Sequence, residues 1–166
     1  GKKFKIDLRD MDYISWQRDL EADLEVLGLL LLMVEDITPQ YDFKLNELLR
    51  IVSKKLDNPI NPGNKKTLIF TAFSDTAEYL YENVSEYVKK NFGLNTALIT
   101  GDIDGRTTIP RFSCDLNSVL TCFSPVSKEK ALIMPNDHNE IDIMIATDCI
   151  SEGQNLQDCD YLINYD

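Results

Sequence analysis

The sequence predicts an α/β fold: a parallel sheet flanked by helices, preceded by an N-terminal helical segment. Three short, almost continuously apolar runs, at residues 66–72, 95–100 and 141–146, are typical of strands buried on both faces. An amphipathic stretch follows the first run and gives the strand–helix–strand alternation of such sheets. The proline- and glycine-containing stretch at residues 57–66 separates this part from the N-terminal third.

The N-terminal third has helical periodicity. Apolar residues recur at helical spacing between residues 11 and 37, and again between residues 41 and 56. Residues 26–34, VLGLLLLMV, are too few to span a bilayer and are flanked by acidic residues, so they are predicted to form a buried helix face or a helix–helix contact. We therefore divide the chain into a helical segment at residues 1–60 and an α/β domain at residues 61–166.

The elements of the α/β domain follow from local patterns. Residues 66–72 form the first strand, and Ser74 is expected to cap the next helix, which ends at Gly93. Residues 101–140 are irregular apart from a short helix near residues 115–123. Further strands are expected at residues 95–100, 141–146 and 161–165.

Composition and missing motifs exclude several functions. The 166 residues include 28 acids and 17 bases, and the net charge of −11 argues against a free-standing nucleic-acid binder with a basic face. Four cysteines without a CxxC pair, and the single His138, predict reduced thiols and no zinc site. The sequence contains no GxxxxGK[ST], GxGxxG or GxSxG pattern, so no catalytic residue is assigned.

Chemistry-bearing side chains follow the predicted strands. The expected loops at the carboxyl ends of strands are residues 71–75, 100–106 and 147–155. The last of these combines hydroxyls, carboxylates, amides and a glycine, a mixture that suits phosphates or sugars. Residues 71–75, TAFSD, place a hydroxyl before a helix N-terminus and could receive an anion. On local chemistry alone, ordinary polar turns and caps explain all three loops at least as well.

Together the loops resemble a known family. KTLIFTAFSDTAEYLYENV resembles motif IV of superfamily-2 helicases, and ALITGD followed by Arg106 resembles the next strand and loop. IDIMIATDCISEGQNLQDCDYLINYD resembles motif V and the strand after it. From Lys66 onward the chain is thus similar to the second, C-terminal RecA-like domain of these proteins, which has the P-loop NTPase fold. The similarity is strongest to the bacterial Swi/Snf-like branch, whose motif V carries a Ser-Glu-Gly-x-Asn segment.

The resemblance implies roles for six residues. Thr147 would contact the nucleic-acid backbone, and Thr71 and Phe73 would lie near the nucleic acid or support that surface. Three residues would face the interdomain cleft where ATP binds, with the last of them near the ribose: Glu152, Gly153 and Asn155. No residue of the chain is implied as a metal ligand.

The resemblance also implies what the chain does not supply. The phosphate loop and the magnesium-binding acidic motif belong to the other RecA-like domain, and the sequence is expected to stop before motif VI. The full-length parent would be an ATP-hydrolysing helicase or DNA translocase that uses ATP and Mg²⁺, whereas this fragment alone would be inactive and without cofactor. The expected partners are DNA, with RNA left open, and the first RecA-like domain of the same chain, in the cytoplasm and without a membrane.

Two other functions remain open from the residues. A non-catalytic α/β protein-interaction module would fit the acidic charge and the apolar N-terminal helices. A small flavodoxin-like nucleotide-binding enzyme is a further alternative that no sequence feature favours. Residues 105–140 receive no role.

Overall fold

The computed structural model describes residues 7–35, 37–101, 104–150 and 154–166. The chain forms two compact units, Gly1–Asp42 and Phe43–Asp166. The predicted fold class is confirmed, since the second unit contains a five-stranded, mostly parallel sheet flanked by helices. The unit boundary lies between residues 42 and 43, whereas the sequence pattern placed the division between residues 60 and 61.

The first unit contains helix α1, Tyr13–Glu35. None of its side chains is buried, and the eight apolar side chains of residues 26–34 are 51–72% exposed. The predicted burial of this stretch is therefore wrong in this structure. The second half of α1 is apolar on all sides, and a helix of this kind cannot bury its own surface. No helix among the described residues is both long enough and apolar enough to cross a membrane.

The sheet of the second unit is centred on its fourth strand. The strands are β1 (Thr67–Phe70), β2 (Thr96–Ile99), β3 (Arg106–Thr107), β4 (Ile143–Ala146) and β5 (Leu162–Asn164). Their order across the sheet is β3-β2-β4-β1-β5, with β3 antiparallel to β2 and the other pairs parallel. All four residues of β4 have 0% exposure, as a continuous apolar run in a parallel sheet requires.

Helices cover both faces of this sheet. They are α2 (Phe43–Asp57), α3 (Ser74–Phe92), α4 (Leu116–Phe123) and α5 (Lys130–Ile133). Side chains of α2 and α3 pack with Ile143 and Ile145 in one core cluster. Side chains of α4 pack with Met144 and Ala146 in a second cluster. Alternate residues of β4 point to opposite faces, so a single strand supplies both cores.

The segment at residues 101–140 contains more structure than predicted. Helix α4 is confirmed, and the carboxylate of Asp115 caps it by accepting the Ser118 backbone N–H at 3.0 Å. Hydrogen bonds from Ser118 and Ser113 lower the pKa of Asp115 to about 2. Strand β3 and helix α5 were not predicted because two and four residues are too short to show a periodicity.

The two ends of α3 differ in how well the sequence predicted them. Gly93 ends the helix with a left-handed φ of 69°, as expected for a C′ glycine. The predicted Ser74 cap is wrong, because Phe73 has the extended backbone of the N-cap. The first turn already closes at Phe73, whose carbonyl accepts the N–H of Ala77 at 3.0 Å.

A buried ion pair joins α2 to the segment before β5. Lys55 Nζ lies 2.5 Å from an Asp160 carboxylate oxygen, and their side chains are 1% and 12% exposed. The ammonium also donates to the Asn64 carbonyl at 3.1 Å, and Asn61 donates to Asp160 at 2.8 Å. Burial alone would raise the pKa of Asp160, but the hydrogen bonds from Lys55 and Asn61 outweigh it and lower this pKa.

The first prediction concerns this pair. Asp160→Asn should destabilise the domain by about 3 kcal/mol, because it leaves the buried Lys55 ammonium without a counter-charge. Since the folded pKa of Asp160 lies below its ordinary value of 3.8, the carboxylate's contribution is complete above that value and is lost as the pH falls through the folded pKa. Urea unfolding at neutral and acidic pH measures both effects.

The matched control for Asp160→Asn is Glu47→Gln. Glu47 lies on the same helix as Lys55, but its pair with Arg50 is exposed, so its removal should change stability little. Equal destabilisation by both variants would contradict a special contribution from the buried pair.

The second prediction concerns Gly105. A Cβ at this position would lie 2.4 Å from the Cys114 carbonyl oxygen and 3.1 Å from Ile99 Cδ1. Gly105→Ala should therefore lower the free energy of unfolding by about 1–3 kcal/mol. A Cβ at Gly101 would make only an ordinary contact of 3.6 Å with the Cys149 Cβ, so Gly101→Ala is the control. Equal unfolding free energies for the two variants would refute the close approach.

Candidate functional site

The carboxyl ends of three neighbouring strands, β1, β2 and β4, form one edge of the sheet. The Thr71 N–H donates to the Ala146 carbonyl at 3.1 Å, and the Thr147 N–H donates to the Ile99 carbonyl at 3.2 Å. These bonds continue the parallel pairing of the strands by one residue. Thr71 and Thr147, both predicted site residues, therefore lie on adjacent strand ends.

The hydroxyls of these threonines are directed into the protein. Thr71 is 3% exposed and Thr147 is 4% exposed. Thr71 Oγ1 donates to an Asp166 carboxylate oxygen at 2.9 Å, and Thr147 Oγ1 donates to Cys149 Sγ at 3.6 Å. The Thr71 hydroxyl thus joins the end of β1 to the residue after β5, and the Thr147 hydroxyl stabilises the turn that follows β4.

Asp166 accepts hydrogen bonds from the groups that the sequence suggested as donors to an external anion. Its carboxylate accepts both the Thr71 hydroxyl and the Ala72 N–H. It also lines a groove of about 410 Å³ that contains a second carboxylate, Asp148. Two carboxylates make this groove unfavourable for a phosphate, because like charges repel at short range. The sequence shows Asp166 after the last strand, but it does not show that this carboxylate accepts a hydrogen bond from Thr71, which lies 95 residues earlier.

Phe73 differs from the two threonines in being available at the surface. Its side chain is 68% exposed, and it stands immediately before helix α3. An exposed aromatic ring beside the strand ends can stack on a nucleic-acid base. Of the three residues predicted near nucleic acid, Phe73 therefore has an exposed side chain, whereas Thr71 and Thr147 are buried, and the roles of all three stay predictions.

The loop after β4 begins with an anchored turn. Asp148–Ile150 form a single 3-10 turn, and Ile150 is 3% exposed within the second core cluster. Cys149 Sγ donates to the Ile99 carbonyl at 3.8 Å and ties the turn to β2.

The predicted nucleotide-binding residues follow this turn. Glu152 and Gly153 lie outside the described residues. Asn155 is described and exposed, and its predicted role near a ribose stays a prediction.

The far end of this loop is fixed by contacts that the sequence did not predict. The Asp158 carboxylate accepts the N–H groups of Val126 and Ser127 at 2.7 and 2.9 Å. Lys128 Nζ donates to the Gln154 side chain at 3.0 Å. These partners are about thirty residues apart, with α5 and β4 between them, so no local pattern could reveal them.

The described residues contain no candidate metal site. Across residues 7–35, 37–101, 104–150 and 154–166, no three His, Cys, Asp or Glu side chains are grouped so that they could hold a metal ion.

A family assignment agrees with this topology. Residues 44–166 match the model of the helicase conserved C-terminal domain, which covers most of the chain. The chain therefore belongs to the helicase conserved C-terminal domain family. The matched region begins within α2 and includes the entire sheet. A comparison with curated protein sequences gave no match.

Proposed function

We propose that the chain is the second RecA-like domain of an ATP-driven superfamily-2 helicase or DNA translocase of the Swi/Snf-like branch. The proposal rests on one observation: in this helicase C-terminal domain, Thr71 and Thr147 lie on adjacent strand ends, next to the exposed Phe73. The Ser-Glu-Gly-x-Asn segment at residues 151–155 supports the Swi/Snf-like branch.

In the proposed motor, the chain supplies one wall of an ATP cleft. The facing wall, with the phosphate loop and the Mg²⁺ ligands, comes from the first RecA-like domain of the same protein. Residues after β4 face the nucleotide in this arrangement: Glu152, Gly153 and Asn155. Because the chain has no phosphate loop, it would not hydrolyse ATP alone. ATP would close the cleft and its hydrolysis would open it, moving the protein along its track in the cytoplasm.

On the nucleic-acid side, the carboxyl ends of the strands of the sheet face one strand of the nucleic acid. Phe73 stacks on a base, while Thr71 and Thr147 fix the backbones of the two loops beside it. The chain's net charge of −11 means that these local groups, and not a basic face, guide the contact.

The activity itself is tested with the full-length parent. ATP hydrolysis is measured without nucleic acid and with duplex DNA, single-stranded DNA or RNA. Stimulation by DNA supports a DNA motor, and stimulation by RNA alone would replace DNA with RNA as the track. A folded parent that hydrolyses no ATP under any of these conditions would refute the proposal.

The third prediction tests one residue of the proposed nucleic-acid contact and one residue of the proposed ATP cleft. In the parent, Thr147→Ala and Asn155→Ala should each lower nucleic-acid-stimulated ATP turnover, by about tenfold or more if a transition-state contact is lost. For Asn155→Ala the loss should appear at ATP concentrations below the KM, because removing a ribose contact raises the KM for ATP. Unchanged turnover in both variants would contradict the site assignment.

The fourth prediction concerns the proposed base contact. Phe73→Ala in the parent should weaken single-strand binding by about 1–3 kcal/mol, the usual loss of one base–aromatic stack. Ile60→Ala is the control, because Ile60 is also exposed, at 63%, but lies between α2 and the amino end of β1. Fluorescence anisotropy with a labelled oligonucleotide measures both, and equal losses would exclude a specific contact at Phe73.

A further inference from the structure

The structure forms a second concave surface in the segment that received no role. A groove of about 680 Å³, which we call the 125–140 groove, is lined by residues between Pro125 and Glu140. Val126 and Leu132 line it and are 82% and 78% exposed. The proposed motor function uses none of its lining residues.

The walls of the 125–140 groove are held by polar contacts at three points. At one end, the Asp158 carboxylate accepts the N–H groups of Val126 and Ser127. In the middle, Lys130 is 6% exposed and its ammonium donates to the Asn139 carbonyl. At the other end, Lys66 donates to the Ile141 carbonyl at 2.8 Å. The segment is therefore fixed at three points.

Because the groove is anchored in this way, two of its apolar side chains remain exposed to water. The anchors hold Val126 and Leu132 on the groove walls, where they remain largely exposed. Exposed apolar side chains on a fixed concave surface are typical of protein-binding sites. Because the surface is preorganised, a ligand does not have to order it on binding.

The charged residues that line the 125–140 groove indicate which kind of ligand it favours. The ionisable groups of the lining, apart from His138, are one lysine and three acids: Lys130, Glu129, Asp137 and Glu140. Asp137 lies 3.9 Å from Lys130, and Glu140 lies 3.0 Å from Lys66, so salt bridges offset two of the acids. Glu129 is exposed and adds negative charge to the groove. This lining repels phosphates and favours cations beside apolar groups.

We propose that the 125–140 groove binds a protein segment that presents apolar side chains flanked by lysine or arginine. The apolar side chains contact Val126, Leu132 and Met134, and the cation lies near Glu129. The site is independent of the proposed ATP and nucleic-acid contacts, so either proposal can fail without the other.

The test uses the whole chain and two labelled synthetic peptides at physiological salt. One peptide combines leucine with lysine, and the other combines leucine with glutamate at the same positions. The lysine peptide should bind more tightly, and Val126→Asp and Leu132→Asp should each weaken its binding by about tenfold or more. Ile133→Asp is the matched control, because Ile133 lies on the same short helix and is 63% exposed but does not line the groove.

A charge-reversal variant of Glu129 tests the electrostatic part of the proposal. Glu129→Lys should weaken binding of the lysine peptide and strengthen binding of the glutamate peptide. Thermal unfolding establishes that each variant remains folded. The proposal is overturned if the two peptides bind equally, if Val126→Asp and Leu132→Asp have no effect, or if Ile133→Asp weakens binding as much as they do. Displacement of the lysine peptide from the groove by duplex DNA would also overturn it.

Discussion

The structure depends on one constraint: strand β4 must be covered on both faces. Its four apolar residues have 0% exposure, and this burial requires α2 and α3 on one side and α4 on the other. Strands β1 and β2 then pair with β4 on its two edges. The same pairing brings Thr71 and Thr147 together, so the core and the candidate site have a common origin.

Predictions from sequence succeeded where the information was local. The apolar runs of β1, β2 and β4 are continuous in the sequence, and their burial follows from that continuity. The exposure of α1 could not be predicted, because the apolar pattern states which residues need burial but not whether a partner is present. The left-handed Gly93 was predictable, since few other residues adopt that backbone conformation readily.

The candidate site was predictable to the level of the backbone. Parallel strands place their carboxyl ends at one edge, so the loops that contain Thr71 and Thr147 were expected at the same end of the sheet. The strand order, which makes β1 and β4 neighbours, was not predicted. The partners of their hydroxyls were not predictable, because Asp166 is distant in sequence and Cys149 depends on the shape of a turn. Glu152 and Gly153 lie outside the described residues, so their placement remains a matter of resemblance.

The alternation along β4 divides the domain into two compartments. Met144 and Ile145 are neighbours in the chain, yet they belong to different core clusters. Ile145 instead shares its cluster with Val52, which precedes it by more than ninety residues. The interior is therefore two small cores separated by a backbone layer, and either can be repacked by substitutions that leave the other unchanged. Such a domain can diverge on one face of its sheet while it retains the packing of the other.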